Sequence, residues 1–169
     1  MRIAPVIIAA TMLAASPALA SESPYEGDYL GFGVGYYDLF DDKDAASFEI
    51  NYQYEDMYYG FRPLVGIMAT SDSAVYGFAG FKWDLPIGTY PFIISPTFTV
   101  GGYHDGNGKD LGHGIEFRSG LELAYEFSKE GDRIGLHFSH ISNASLGDSN
   151  PGTEILQLNY SLPIDDYAF

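Results

Sequence analysis

The sequence predicts an all-β fold, an eight-stranded antiparallel transmembrane β-barrel preceded by a cleaved signal peptide. Residues 1–20 carry a positive start at Arg2, a mostly apolar run from Ile3 to Ala15 and an A-x-A cleavage site at Ala18-Leu19-Ala20, the layout of a secretory signal peptide. The barrel domain is then residues 21–169. Beyond the cleavage site, apolar residues recur at every second position in about eight segments separated by turn clusters, and helical periodicity is hard to find. No later stretch reaches the ~18–20 continuous apolar residues of a membrane helix, so membrane residence requires a barrel.

Each segment has its own signal. Tyr29 to Asp38 alternates Leu30, Phe32, Val34 and Tyr36 with Gly31, Gly33 and Gly35. Phe40 to Asp44 is a polar turn, and Ser47 to Tyr54 sets Phe48, Ile50, Tyr52 and Tyr54 against Glu49, Asn51 and Gln53. Glu55-Asp56 reads as a tight turn into a strand from Tyr58 to Thr70, with a bulge or break expected at Pro63. Ser71-Asp72-Ser73 leads to Val75–Leu85, and Pro86 to Thr89 leads to Phe92–Tyr103, where Pro96 is a second interruption. After the glycine-rich loop His104 to Asp110, Gly114–Phe127 places Ile115, Phe117, Leu121, Leu123 and Tyr125 opposite Glu116, Arg118, Glu122 and Glu126. Ser128 to Asp132 turns the chain into a last hairpin, Ile134–Ser142 and Thr153–Leu162.

Strands of this length span a bilayer when tilted, with apolar side chains outward and a lumen narrow enough to be filled by side chains. Glu49, Asn51, Gln53, Arg62, Glu116, Arg118 and Glu122 fit such a paired polar lumen, and the 14 tyrosines fit aromatic girdles. A soluble lipocalin-like barrel has a similar strand count with its apolar residues inside, and alternation alone does not say which face is out. The terminal Phe169 fits an assembly signal for an outer-membrane barrel. The short connections assign one end to the periplasm, so the loop after Ser142 faces outside the cell.

Composition excludes other classes. The formal charge is −15, becoming −16 once Arg2 leaves with the signal peptide, so there is no basic footprint for nucleic acid. The chain has no cysteine and hence no disulfide. His137 and His140 fall on opposite faces of a strand and do not share a metal ion.

The chemistry concentrates in the last hairpin. Alternation puts Ile134, Leu136, Phe138, His140 and Ser142 on one face, and Glu154, Leu156, Leu158 and Tyr160 on one face of the partner strand. Antiparallel pairing gathers His140, Ser142 and Glu154 near the loop, a hydroxyl beside an imidazole with a carboxylate to orient it. Their companions are apolar. There is no G-x-S-x-G elbow, which excludes the α/β-hydrolase arrangement as a warrant.

His140-Ile141-Ser142-Asn143-Ala144, followed by Asn150-Pro151-Gly152-Thr153-Glu154, resembles the signature of the lipid A 3-O-deacylase family of Gram-negative outer membranes. The resemblance implies Ser142 as nucleophile, His140 as general base and Glu154 as the acid that orients it. It further implies an oxyanion site at Asn143 and the backbone N–H groups after it, beginning with Ala144. Ser145 stands where the resemblance leads one to expect glycine. The implied substrate is the ester-linked hydroxyacyl chain at position 3 of lipid A in lipopolysaccharide, hydrolysed at the outer leaflet without metal or organic cofactor. A homodimer is compatible with it. Two alternatives stay open: a non-enzymatic adhesin or structural barrel, and a related phospholipase or acyltransferase barrel.

Overall fold

The computed structural model describes residues 27–55 and 57–164. The expected signal peptide and the Phe169 terminus lie outside them. The strands are β1 (Tyr29–Tyr37), β2 (Ala45–Gln53), β3 (Phe61–Thr70), β4 (Val75–Trp83), β5 (Leu85–Pro86), β6 (Phe92–His104), β7 (Ile115–Glu126), β8 (Arg133–Ser142) and β9 (Thr153–Pro163). All pair antiparallel, and the sheet closes through β1 with β9 and through β4 with β6. β5 continues β4 in the same register against β6, so the two form one leg of an eight-stranded barrel.

Two details differ from the sequence expectation. β3 begins at Phe61, not Tyr58, because Tyr58 makes only an isolated bridge to Phe61 within a longer connection in place of a tight turn. β3 also runs unbroken through Pro63, which stays paired with Phe81. Pro96 behaves differently. The β6 ladder lapses between Lys82↔Thr97 and Leu85↔Ile94, and Pro96, lacking an N–H, lies in that lapse.

Alternation now has a direction. Leu136, Leu158 and Val34 are each at least 50% exposed on the outer wall, whereas Arg62, Arg118, Lys82 and Glu122 inside are at most 4% exposed. A soluble barrel would bury the first set; this wall is built for hydrocarbon. The lumen is held by ion pairs: Arg118 to Glu49 at 2.6 Å, Lys82 to Glu122 at 2.7 Å, and Asp84 to Arg62 at 2.9 Å and to Arg133 at 2.6 Å. Arg118 also donates to Gln157 and Ser139, so the guanidinium is held on several sides. Tyr29 lies under both Arg62 and Arg133, its ring centroid 5.0 and 4.6 Å from the two guanidinium carbons. The glycines of β1 make room for these groups: a Cβ on Gly31 would sit 2.3 Å from the Asn51 amide oxygen.

At the end opposite Ser142, exposed Tyr58, Tyr59, Trp83 and Tyr90 form an aromatic rim of the kind found at a membrane interface. At the Ser142 end, Tyr37, Tyr76, Tyr103, Leu111, Ile141 and Ile155 close the lumen with a buried apolar plug beneath the loops.

Candidate active site

β8 and β9 form the hairpin, and their register makes His140 and Glu154 direct cross-strand partners. The imidazole Nδ1 lies 3.0 Å from Glu154 Oε1. A carboxylate only accepts, so Nδ1 carries the hydrogen and donates it, and in a neutral imidazole with that tautomer the lone pair is on Nε2. Among the described residues Nε2 has no hydrogen-bond partner. Ser142 lies two residues further along β8 on the same outer face. No hydrogen bond joins its hydroxyl to His140 among the described residues, and such bonds commonly tighten only with substrate present. All three side chains are half-buried. They sit at the margin of an apolar wall made by Phe117 and Phe138 on either side.

After Ser142 the chain turns inward. Asn143 has the opposite strand parity and is fully buried. Its Nδ2 donates to the carbonyls of Leu111 and Ser149, both at 2.8 Å, and its Oδ1 accepts from Ser145 N–H at 2.9 Å. The Asn143 amide is thus turned away from the outer wall and engaged in holding the loop. Its backbone N–H donates to Asn150 Oδ1, and Leu146 N–H donates to the Asn143 carbonyl. Of the four N–H groups from Asn143 to Leu146, that of Ala144 is left without a protein acceptor among the described residues. Ala144 and Ser145 both take left-handed conformations, with φ of 51° and 65°. At Ser145 this is the conformation for which glycine is the default.

The model of the lipid A 3-O-deacylase (PagL) family matches residues 30–163, nearly the whole of the described barrel. The chain belongs to that family. It is 38% identical over 53 residues to the lipid A deacylase PagL of Bordetella bronchiseptica, a stretch covering 31% of this chain and 29% of that relative's length. The crystal structure of the outer-membrane enzyme PagL matches with a TM-score of 0.61 at 18% identity, covering 82% of this chain and 100% of that one. The crystal structure of Neisserial surface protein A matches with a TM-score of 0.60 at 11% identity, covering 81% and 97%. At such identities the two structures speak for the shared fold.

Within this PagL-family barrel, the site is braced by contacts that motif reading does not reach. Leu39 N–H donates to the Glu154 carbonyl at 3.1 Å. Thr153 Oγ1 donates to Asp38 Oδ1 at 2.9 Å, and Lys109 Nζ donates to Asp38 at 2.7 Å and Asp41 at 2.6 Å. Three loops, those after β1, β6 and β8, thereby converge on the start of β9. Burial by itself would lower the Lys109 pKa, but its hydrogen bonds to Asp38 and Asp41, with their charges, hold it above the ordinary lysine value. Lys109 is therefore charged throughout the neutral range.

Gly152 is the other unforeseen element. Its φ is +64°, and a Cβ there would stand 2.6 Å from His140 Cε1 and 3.1 Å from Nε2. The imidazole rests on the bare glycine backbone. Gly152→Ala is expected to displace the ring and lower kcat by roughly 10- to 100-fold, the usual penalty for an ångström-scale misplacement, with a smaller change in KM. Steady-state kinetics on a barrel that retains its folded electrophoretic mobility tests this. An unchanged kcat would show that this packing does not position His140.

Proposed function

We propose that the chain is an outer-membrane lipid A 3-O-deacylase, a serine esterase whose catalytic residues are Ser142, His140 and Glu154. One observation carries the reading: a serine and a carboxylate-oriented histidine stand together on the lipid-facing wall of a barrel that belongs to the lipid A deacylase family. Lipid A lies in the outer leaflet, with its acyl chains along the barrel wall and its ester bonds near the interface. A site at the margin of the apolar band meets that ester without lifting the lipid from the bilayer. This supports the orientation with the Ser142 end outside the cell.

In the reaction, Ser142 Oγ attacks the carbonyl carbon of the ester at position 3 while His140 Nε2 takes its proton. Negative charge develops on the carbonyl oxygen, and the Ala144 N–H is the available donor to it. Asn143 contributes by fixing the backbone that presents that donor. The imidazolium, stabilised by Glu154, then protonates the departing sugar oxygen. Water activated by His140 hydrolyses the acyl-enzyme and releases the 3-hydroxy fatty acid. Every bond is made and broken by the protein's own groups and water.

Detergent-folded protein should be incubated with lipopolysaccharide and, separately, with phosphatidylethanolamine vesicles, and the free fatty acids analysed by gas chromatography. The expected result is 3-hydroxy fatty acid from lipopolysaccharide and none from the phospholipid. Release from phospholipid alone would replace this reading with a phospholipase. Release from neither, by a folded barrel, would favour a binding or structural barrel.

A further inference from the structure

Away from the strand ends, the outer wall contains one polar residue that the proposed reaction does not use. Along the strands, outward positions hold apolar or aromatic side chains, glycine or proline, with few exceptions. Those exceptions are His104 at the end of β6, the residues Ser142, His140 and Glu154, and Ser119 in the middle of β7. Ser119 is exposed, and among the described residues its hydroxyl has no hydrogen-bond partner in the protein. An unpaired hydroxyl facing hydrocarbon is unfavourable and needs a reason.

Its neighbours suggest one. Ser119 is the direct cross-strand partner of His140 on β8 and of Phe98 on β6. His140 thus has Glu154 on one side and Ser119 on the other. The imidazole leans toward Gly152, so the β7 side of the row is open and the Ser119 hydroxyl is not taken up by the histidine. Ser119 and Ser142 are diagonal cross-strand neighbours, a relation that places Cα atoms roughly 7–8 Å apart. Ser119 lies on the bilayer side of Ser142, and its small side chain leaves a notch in a wall otherwise made by Phe98, Phe117, Leu121 and Phe138.

An acyl chain whose carbonyl is held at Ser142 must descend along the wall toward the hydrocarbon, and this notch is beneath it. The hydroxyl of a 3-hydroxyacyl chain is borne two carbons past the carbonyl, and Ser119 lies in the direction that chain takes from Ser142. We infer that Ser119 is a specificity-determining residue that hydrogen-bonds the 3-hydroxyl of the chain being removed. The inference rests on the deacylase reading. In a water-poor setting the two hydroxyls satisfy each other, whereas a chain lacking the hydroxyl leaves Ser119 unpaired.

The test compares 4-nitrophenyl 3-hydroxydecanoate with 4-nitrophenyl decanoate in detergent micelles, for wild type, Ser119→Ala and Ser119→Thr. Wild type is expected to favour the hydroxy ester in kcat/KM by about 10-fold, the scale of one such hydrogen bond. Ser119→Ala should bring that ratio close to one, and Ser119→Thr, which keeps a hydroxyl, should restore part of it. A general loss of folding lowers both rates together and leaves the ratio intact, so the ratio reports Ser119 itself. Equal rates on both esters in wild type, or an unaltered preference in Ser119→Ala, would overturn the inference and leave the deacylase standing. No hydrolysis of either ester by folded wild type would count against the esterase reading itself.

Discussion

Replacing Ser142 with alanine is expected to reduce ester hydrolysis by roughly 10⁴- to 10⁶-fold, the range seen when the nucleophile of a serine hydrolase is removed. The substitution deletes only the attacking oxygen. The His140–Glu154 pair at 3.0 Å and the Ala144 N–H remain, so any residual rate reflects water attacking a carbonyl that is still positioned. The Ser142 hydroxyl makes no hydrogen bond to the rest of the protein among the described residues, and the barrel should keep its stability. The check is kcat in detergent, together with the heat-modifiable electrophoretic mobility that reports the folded barrel. A Ser142→Ala barrel with near wild-type turnover would remove the nucleophile from the account.

Arg118→Leu is expected to have the largest effect on stability. The guanidinium is buried in the lumen and joins Glu49 on β2, Ser139 on β8 and Gln157 on β9. Its loss leaves the Glu49 carboxylate buried without its cation, and breaking a buried pair from one side destabilises by about 3–5 kcal/mol. Adding Glu49→Leu removes the orphaned charge as well, so the double variant should recover much of the loss. The measurement is the denaturant midpoint of each variant in the same detergent. A single variant as stable as wild type would mean that lumen water or a neighbouring group replaces the arginine.

Strand parity explains why so much of the site is legible in the sequence. His140, Ser142 and Glu154 each occupy outward positions on strands whose apolar residues announce the same face, and antiparallel pairing then makes His140 and Glu154 partners. Charged residues at inward positions, such as Glu49, Arg118 and Glu122, mark the lumen by the same logic. Lys82 and Asp84 carry that parity signal too, but a single lysine and a single acid in an aromatic run are a weak pattern, and Asp84 gains its meaning only from Arg62 on β3 and Arg133 across the lumen on β8. Parity also turns Asn143 inward, a consequence hidden where a strand gives way to a loop. The contacts that brace the site are the least legible. Asp38, Lys109 and Thr153 are far apart in the chain, and only the closure of the barrel brings their loops together. The role of Gly152 depends on where the His140 ring lies, which no local pattern records.

On the proposed reading, a lipid-facing Ser142, served by His140 and Glu154, removes one hydroxyacyl chain from lipid A. The most direct test is the mass of lipid A recovered from lipopolysaccharide after incubation with folded wild-type protein or with Ser142→Ala. Loss of one 3-hydroxyacyl group is expected with wild type and unchanged lipid A with the variant. Unchanged lipid A with both proteins, or the same loss with both, would contradict it.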